Sequence, residues 1–384
     1  MSTAGEPVVA PEGRPGASRR ASLRVALDVR AVSDRREGIG NYTLALAEGL
    51  AGWLGADAGQ AGRVEVLMLG DRHTAWDRLP GFPHHSGPDG PLWHAWAAVT
   101  AGRLADVYHS TGSFFAPLLT LKPVVLTVHD IVALRHPATQ RRWTRWTQGA
   151  LGLGLHRARV VLAVSEFTAR EVASEFPHAA AKIHAVLHAA RSLATPATSD
   201  PLPEVPPVPP AFILAVGSLE PRKNLVTLLG AHARMDAPPP LVLVGHRRWR
   251  GEELDRALAD HPHAVQVLTE VSDVQLATLY GTCGVFVFPS RYEGFGLPVL
   301  EAMACGAPVV ASSASAIPEA AGGAALLFDP DDPGALAIAL ERVLGDPDLR
   351  ADLVERGRVR AAERTWTDVA RETVKLYERA TMSP

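Results

Sequence analysis

The sequence predicts an α/β protein made of two doubly wound parallel-sheet domains joined by a proline-rich linker. Three observations carry this. Short β-branched runs, such as Val124-Val125-Leu126-Thr127-Val128 and Gly284-Val285-Phe286-Val287-Phe288, alternate with helical stretches along the chain, as strands covered on both faces by crossover helices do. The length of 384 residues exceeds what a single core ordinarily holds. Between residues 191 and 210 the composition turns to Pro, Thr, Ser and Ala, which suits a linker and not a central strand.

Taken in order, residues 1–22 are rich in Ala, Gly, Pro, Ser and Arg without an apolar core. They read as a disordered tail rather than a signal peptide. The first domain, 23–190, opens with the strand Leu23-Arg24-Val25-Ala26-Leu27-Asp28. The loop Arg35 to Gly40 and a helix from Asn41 to about Leu50 follow. Val64 to Leu69, Val107 to Ser110, Val124 to Asp130 and Val160 to Ser165 are further strands. Residues 138–157 look helical and carry Arg141, Arg142, Trp143, Arg145 and Trp146. Such a face can touch a membrane surface or an anionic lipid-linked acceptor; a solvated basic face with its tryptophans in the core is preferred. Ser165-Glu166-Phe167-Thr168 caps a helix. The second domain, 211–365, contributes Phe212 to Gly217, Leu241 to Gly245, Ala264 to Leu268, Gly284 to Ser290 and Ala307 to Ala311 as strands, and helices from Pro333 and Asp348. A last helix, within 366–384, is expected to pack back toward the first domain.

Composition narrows the class. Hydrophobic residues make up 47% and charged residues 21%, with a net charge of −3. That balance gives no pull toward nucleic acid or an anionic membrane. Two cysteines, Cys283 and Cys305, make neither a disulfide framework nor a zinc site. No apolar run reaches the roughly 20 residues of a membrane span. Cytoplasm is the expected compartment, with the inner membrane face as a site of peripheral contact.

The residues suited to chemistry fall at the carboxyl ends of strands, where ligands bind in open α/β sheets. In the second domain, Gly217-Ser218-Leu219-Glu220-Pro221-Arg222-Lys223-Asn224 sets two cations before a helix, a place for a diphosphate as well as for a solvated basic turn. Glu293 follows another strand, and seven residues that include the turn Gly294-Phe295-Gly296-Leu297-Pro298 separate it from Glu301. Carboxylates accept hydrogen bonds from vicinal sugar hydroxyls, though single glutamates more often sit on solvated helix faces. In the first domain, Gly38-Ile39-Gly40 begins like a dinucleotide fingerprint, but Thr43 stands at the third glycine position. It remains a loop that lets backbone approach a phosphate, or a plain turn. His129-Asp130 ends a strand and can bond a substrate hydroxyl or a leaving phosphate, or serve as a structural histidine. Asp329-Pro330-Asp331 and Asp346-Pro347-Asp348 contain proline and precede helices, so they read as turns and caps rather than metal ligands. His84 and His85 sit in a Gly/Pro loop without ligand spacing.

Jointly these motifs resemble the retaining glycosyltransferases of family 4, with the GT-B fold of two facing Rossmann-like domains and a cleft between them. The likeness covers roughly residues 23–380. It rests on Glu293 through Glu301 as the Glu-x7-Glu element, on Gly217 through Asn224, on Glu37-Gly38-Ile39-Gly40-Asn41-Tyr42, on Val128-His129-Asp130 and on Val164-Ser165-Glu166-Phe167. The resemblance implies that Arg222 and Lys223 hold a nucleotide diphosphate, with Gly217 and Ser218 beside it. It gives Glu301 the ribose hydroxyls and Glu293 the transferred sugar. The backbone of Phe295, Gly296 and Leu297 adds contacts, Gly38 and Gly40 approach from the other domain, and His129 lies by the anomeric centre. Its Pro-Asn-Gly segment is replaced here by His188-Ala189-Ala190, which puts the hinge in question.

The function this implies is metal-independent transfer of a hexose to a glycan, lipid-linked or small-molecule acceptor held by the first domain. Mannose from GDP-mannose is the first expectation and UDP-glucose the next. No other cofactor is expected. A sugar-nucleotide epimerase, a phosphorylase and a non-catalytic partner-binding subunit are the rival readings on the same architecture.

Overall fold

In the computed structural model of the chain, residues 22–33, 38–56, 63–137, 150–193, 211–247 and 252–382 are described. The stretch Arg141 to Trp146 lies outside them, as does most of the expected linker. The first half supplies strands β1 (Leu23–Asp28), β2 (Val64–Gly70), β3 (His84–Ser86), β4 (Val107–Ser110), β5 (Val124–Val128), β6 (Val160–Ala163) and β7 (Ile183–Ala185). They form a sheet of order β3-β2-β1-β4-β5-β6-β7. Its helices are α1 (Gly38–Gly55), α2 (Leu92–Leu104), α3 (Ala116–Leu119), α4 (Val132–Arg135), α5 (Leu151–Arg157) and α6 (Glu166–Glu175).

The second half supplies β8 (Ile213–Val216), β9 (Leu241–Val244), β10 (Val265–Leu268), β11 (Val285–Phe288), β12 (Val309–Ser312) and β13 (Leu326–Phe328). Their order is β10-β9-β8-β11-β12-β13. The helices are α7 (Leu225–His232), α8 (Glu252–Ala259), α9 (Asp273–Thr282), α10 (Leu297–Ala304), α11 (Ile317–Ala321), α12 (Pro333–Gly345), α13 (Pro347–Ala362) and α14 (Trp366–Thr381). Every strand pairing in both sheets is parallel. Strand order reverses between β1 and β4 and between β8 and β11, so each sheet has one switch point where its strand ends open a crevice.

The central strands are apolar on both faces because helices cover both. Every residue of β4, β5, β6, β11 and β12 is buried. One apolar cluster packs α2, α3 and α5 on one face of the first sheet through Trp93, Ala116 and Leu155. Another packs α7 and α12 on the second sheet through Leu228 and Leu340. A third runs unbroken from α1 and α14 on the first sheet, through Ala189 and Phe295, to α10 and α11 on the second. Helix α14 lies at the end of the second domain in sequence but packs on the first. Its Tyr377 hydroxyl meets His109 Nδ1 at 2.8 Å, and a methyl group on Gly49 of α1 would stand 2.3 Å from the Trp366 carbonyl oxygen.

Several elements depart from the sequence reading; Gly38-Ile39-Gly40, read as a loop ahead of a helix from Asn41, already forms the start of α1. His84 and His85, read as a loop, form the edge strand β3 against Met68 and Leu69. All three residues of β3 are exposed, so backbone pairing alone defines it and no apolar pattern announces it. Helix α2 and strand β7 carry no clear signal in the sequence. In α2 the alanines hide the helical period, and β7 is short and half-buried. The Asp-Pro-Asp segments behave as turns and caps: Asp346 accepts from the amides of Asp348 and Leu349, and Asp329 from that of Asp331.

Candidate active site

The turn after β8 carries Arg222 and Lys223, and the loop after β11 carries Glu293, so the second sheet's switch point brings all three together. Lys223 Nζ donates to Glu293 Oε1 at 2.6 Å, and Arg222 Nη1 donates to Glu293 Oε2 at 2.9 Å. Arg222 Nε also pairs with Glu220 at 2.8 Å, and that carboxylate accepts from Ser218 Oγ. The turn is held by Asn224. This residue adopts φ 57°, and its amide nitrogen donates to the carbonyls of Pro289 and Pro330. The cations are thereby tied to the end of β11 rather than left on a free loop.

The electrostatics follow from burial. Burial pushes the Glu293 carboxyl up, but Arg222 and Lys223 outweigh it and hold the group at about 2. Burial pulls Lys223 below the usual lysine range, with Glu293 opposing. The Lys223 ammonium also lies 5.0 Å from the centre of the Phe288 ring. Glu293 thus serves as counter-ion to both cations. The cavity beside them, lined by Gly217, Lys223, Phe288 and Ser290, has a volume of only about 10 Å³, room for one water.

Glu301 stands apart from this trio. It lies in α10, only 5% exposed, and accepts from Arg191 Nε at 2.9 Å. Gly296 precedes α10 with φ 115°, Leu297 is the first helical residue, and Phe295 is buried against His188, ring centres 4.8 Å apart.

The first domain meets this loop directly. A methyl group on Gly294 would lie 1.7 Å from the His129 carbonyl oxygen, so only glycine permits the approach. Ser165 Oγ and Thr168 Oγ1 both donate to the Gly294 carbonyl, at 2.6 and 3.0 Å. Glu319 at α11 accepts from the Glu166 and Phe167 amides, at 2.8 and 3.1 Å, capping α6 from the opposite domain. His129 Nε2 lies 2.8 Å from the Thr111 carbonyl oxygen. A carbonyl only accepts, so Nε2 carries the proton. Burial pulls this histidine below its ordinary value, against the Thr111 carbonyl and Asp130, and the neutral ring keeps Nδ1 as an acceptor.

At the first sheet's switch point a cavity of about 250 Å³ is lined by Asp28, Arg30, Ile39, Gly40, Thr111 and Ser113. The Arg30 guanidinium carbon lies over the Trp93 ring, 4.3 Å from its centre. Burial pushes the Asp28 carboxyl up to about 6. Gly40 is packed against its own chain, since a methyl group there would lie 2.4 Å from the Ala31 carbonyl oxygen; Gly38 has open space around it. At the hinge, His188 takes the place expected for proline. Its ring stacks on Tyr42 at 4.9 Å and lies 5.5 Å from Trp366.

Arg191, Glu319 and the Ser165–Gly294 bond escaped the sequence reading. Arg191 stands alone in an Ala/Ser/Thr run and Glu319 in a short helix, with no local pattern to mark either.

Comparison with known proteins adds to this geometry. The model described as Glycosyltransferase Family 4 matches residues 36–189, and that described as Glycosyl transferases group 1 matches residues 198–360. The O-antigen chain mannosyltransferase B of Escherichia coli is 32% identical over 290 residues, covering 71% of this chain and 74% of that protein. The MMP alpha-(1->4)-mannosyltransferase of Mycolicibacterium hassiacum is 33% identical over 319 residues, covering 74% of this chain and 73% of that protein. Among solved structures, the sucrose-phosphate synthase from Thermosynechococcus elongatus matches with a TM-score of 0.72 at 21% identity, covering 93% of this chain and 98% of that one. At that identity the likeness speaks for the fold alone.

Proposed function

The chain belongs to the group 1 glycosyltransferases of family 4, and from this premise we propose that it transfers mannose, with retention, from GDP-mannose to a hydroxyl of a glycan acceptor. One observation carries the reading: Arg222, Lys223 and Glu293 are locked together at a switch point that touches His129 across the cleft. Two relatives named as mannosyltransferases support the choice of sugar.

In this reading the diphosphate takes up the donors of Arg222 and Lys223. Five N–H groups and three leave room for a second anion beside Glu293. Glu293 receives the hydroxyls of the transferred sugar, Glu301 those of the ribose. Gly217, Ser218 and the amides of Phe295, Gly296 and Leu297 line the donor, with Gly38 and Gly40 facing it across the cleft. His129 stands by the anomeric carbon, its Nδ1 free to accept from a sugar hydroxyl. The bond from the anomeric carbon to the phosphate oxygen breaks, and the acceptor oxygen bonds to that carbon from the same face. The leaving phosphate takes the acceptor's proton. Negative charge on that phosphate is met by two fixed cations and the N-terminus of α10, so the step calls for no divalent metal. The acceptor enters by the Asp28–Arg30 cavity, whose volume suits one sugar ring.

Among the described residues no helix is long and apolar enough to cross a membrane. A cytoplasmic site, with contact at the inner membrane face when the acceptor is lipid-linked, is part of the proposal.

The test is calorimetric titration of the full chain with a panel of nucleotide sugars, together with slow donor hydrolysis measured with and without EDTA. GDP-mannose is expected to bind best, and EDTA to leave the rate unchanged. Lys223→Ala and Glu301→Ala are expected to weaken donor binding by about tenfold or more, the scale of a lost charged hydrogen bond. Failure of every nucleotide sugar to bind would overturn the reading.

A further inference from the structure

Arg191 has no part in the chemistry described above, yet it is a buried charge, 6% exposed. It follows β7 and opens the segment that leads to the second domain. Its guanidinium is used on the second. Nε donates to Glu301 Oε1 at 2.9 Å, while Nη1 and Nη2 fork onto Asp273 Oδ2 and Oδ1, both at 3.2 Å. Burial works against its charge, and Glu301 and Asp273 reverse that, raising the group above the ordinary arginine range. Asp273 opens α9, whose first turn is fixed by a capping box between Ser272 and Gln275. The far side of the fork is therefore rigid.

We infer that Arg191 is the positioning residue for the nucleotide's ribose: it presets the Glu301 carboxylate to receive the vicinal 2′ and 3′ hydroxyls. This rests on the reading that Glu301 binds the ribose. A glutamate's terminal torsion is broad and two-fold, so an unpartnered Glu301 would sample many planes. Arg191 selects one while taking a single lone pair. The carboxylate offers about four acceptor sites, so both oxygens keep capacity for a diol. Fixing a group in its bound geometry before the ligand arrives lowers the ordering cost of binding. Arg191 also stands at the head of the segment joining the domains. The grip on the ribose is therefore tied to where that segment lies.

The experiment compares GDP with 2′,3′-dideoxy-GDP by calorimetry on the full chain. The wild type is expected to prefer GDP by about tenfold or more, and Glu301→Gln to lose that preference. If the wild type does not discriminate, the ribose reading fails and this inference with it. If it does, Arg191→Gln decides the inference. GDP affinity is expected to fall about fivefold to tenfold and dideoxy-GDP affinity less than about twofold, so that most of the preference disappears. A preference undiminished in Arg191→Gln leaves the ribose reading standing and overturns the positioning role, since a purely structural clasp would weaken both nucleotides alike. Thermal melts check folding. If Arg191→Gln does not fold, Arg191→Lys carries the comparison, because it keeps the charge and loses the fork: a reduced preference supports the role and a full one overturns it.

Discussion

Glu293 is held at about 2 because the attraction of Arg222 and Lys223 exceeds the effect of its burial. Its folded value lies below the ordinary 4.5, so its contribution to stability is complete above that pH and is lost as pH falls toward 2. His109 acts in the same direction at higher pH. Burial pulls it from 6.5 to about 3, and its two nitrogens bond Tyr377 and Thr127, each at 2.8 Å. The unfolded chain thus takes up a proton below pH 6.5 that the folded chain refuses until about pH 3, and stability falls with acidification across that window. Urea unfolding at pH 7, 5.5 and 4.5 measures this. His109→Gln is expected to flatten the slope by about one proton, or about 1.4 kcal/mol per pH unit. An unchanged slope would contradict the assignment.

The β11–α10 loop and the β6–α6 turn are elements through which the two domains touch beside the candidate site. Ser165 caps α6 by accepting from the Thr168 amide, and the same hydroxyl donates to Gly294. One side chain therefore both starts a helix and binds the opposite domain. The obstacle to any side chain at position 294 is backbone, the His129 carbonyl, which no rotamer change relieves. Gly294→Ala is expected to force the loop from the end of β5, lowering kcat/KM by about tenfold to a hundredfold. Far-UV circular dichroism should be unchanged and nucleotide affinity altered by less than about threefold, because Arg222 and Lys223 remain in place. Steady-state kinetics with calorimetry separates the two quantities. Wild-type turnover would show that this contact is no part of the working geometry.

At the scale of the whole molecule, α14 makes the chain a loop that closes on its own first domain. Trp366, Val369, Val374 and Tyr377 are buried, and Trp366 lies 5.9 Å from Tyr42 of α1. The first domain therefore depends on residues from the far end of the chain. Trp366→Ala is expected to destabilise the protein by about 3–5 kcal/mol, read from urea unfolding of the full chain. A loss below about 1 kcal/mol would mean that α14 contributes little to holding the first domain.

The two parallel sheets, and the charged residues that stand at the ends of their strands, could be read from the sequence. Buried strands are continuous apolar runs, and Arg222, Lys223, Glu293 and Glu301 each stand at a fixed offset from one. Such signals are local. What escaped detection depends on distant partners: Glu301 meets Arg191 across 110 positions, Glu319 caps α6 across 153, and Tyr377 satisfies His109 across 268. The exposed edge strand β3 had no pattern of its own. The sequence by itself therefore determined the fold class and which residues stand at the strand ends. Tertiary structure alone decided that Glu293 is the counter-ion of both cations and that Glu301 is held by Arg191 from the segment joining the domains, because buried charges are assigned partners by proximity in space, which chain order does not encode.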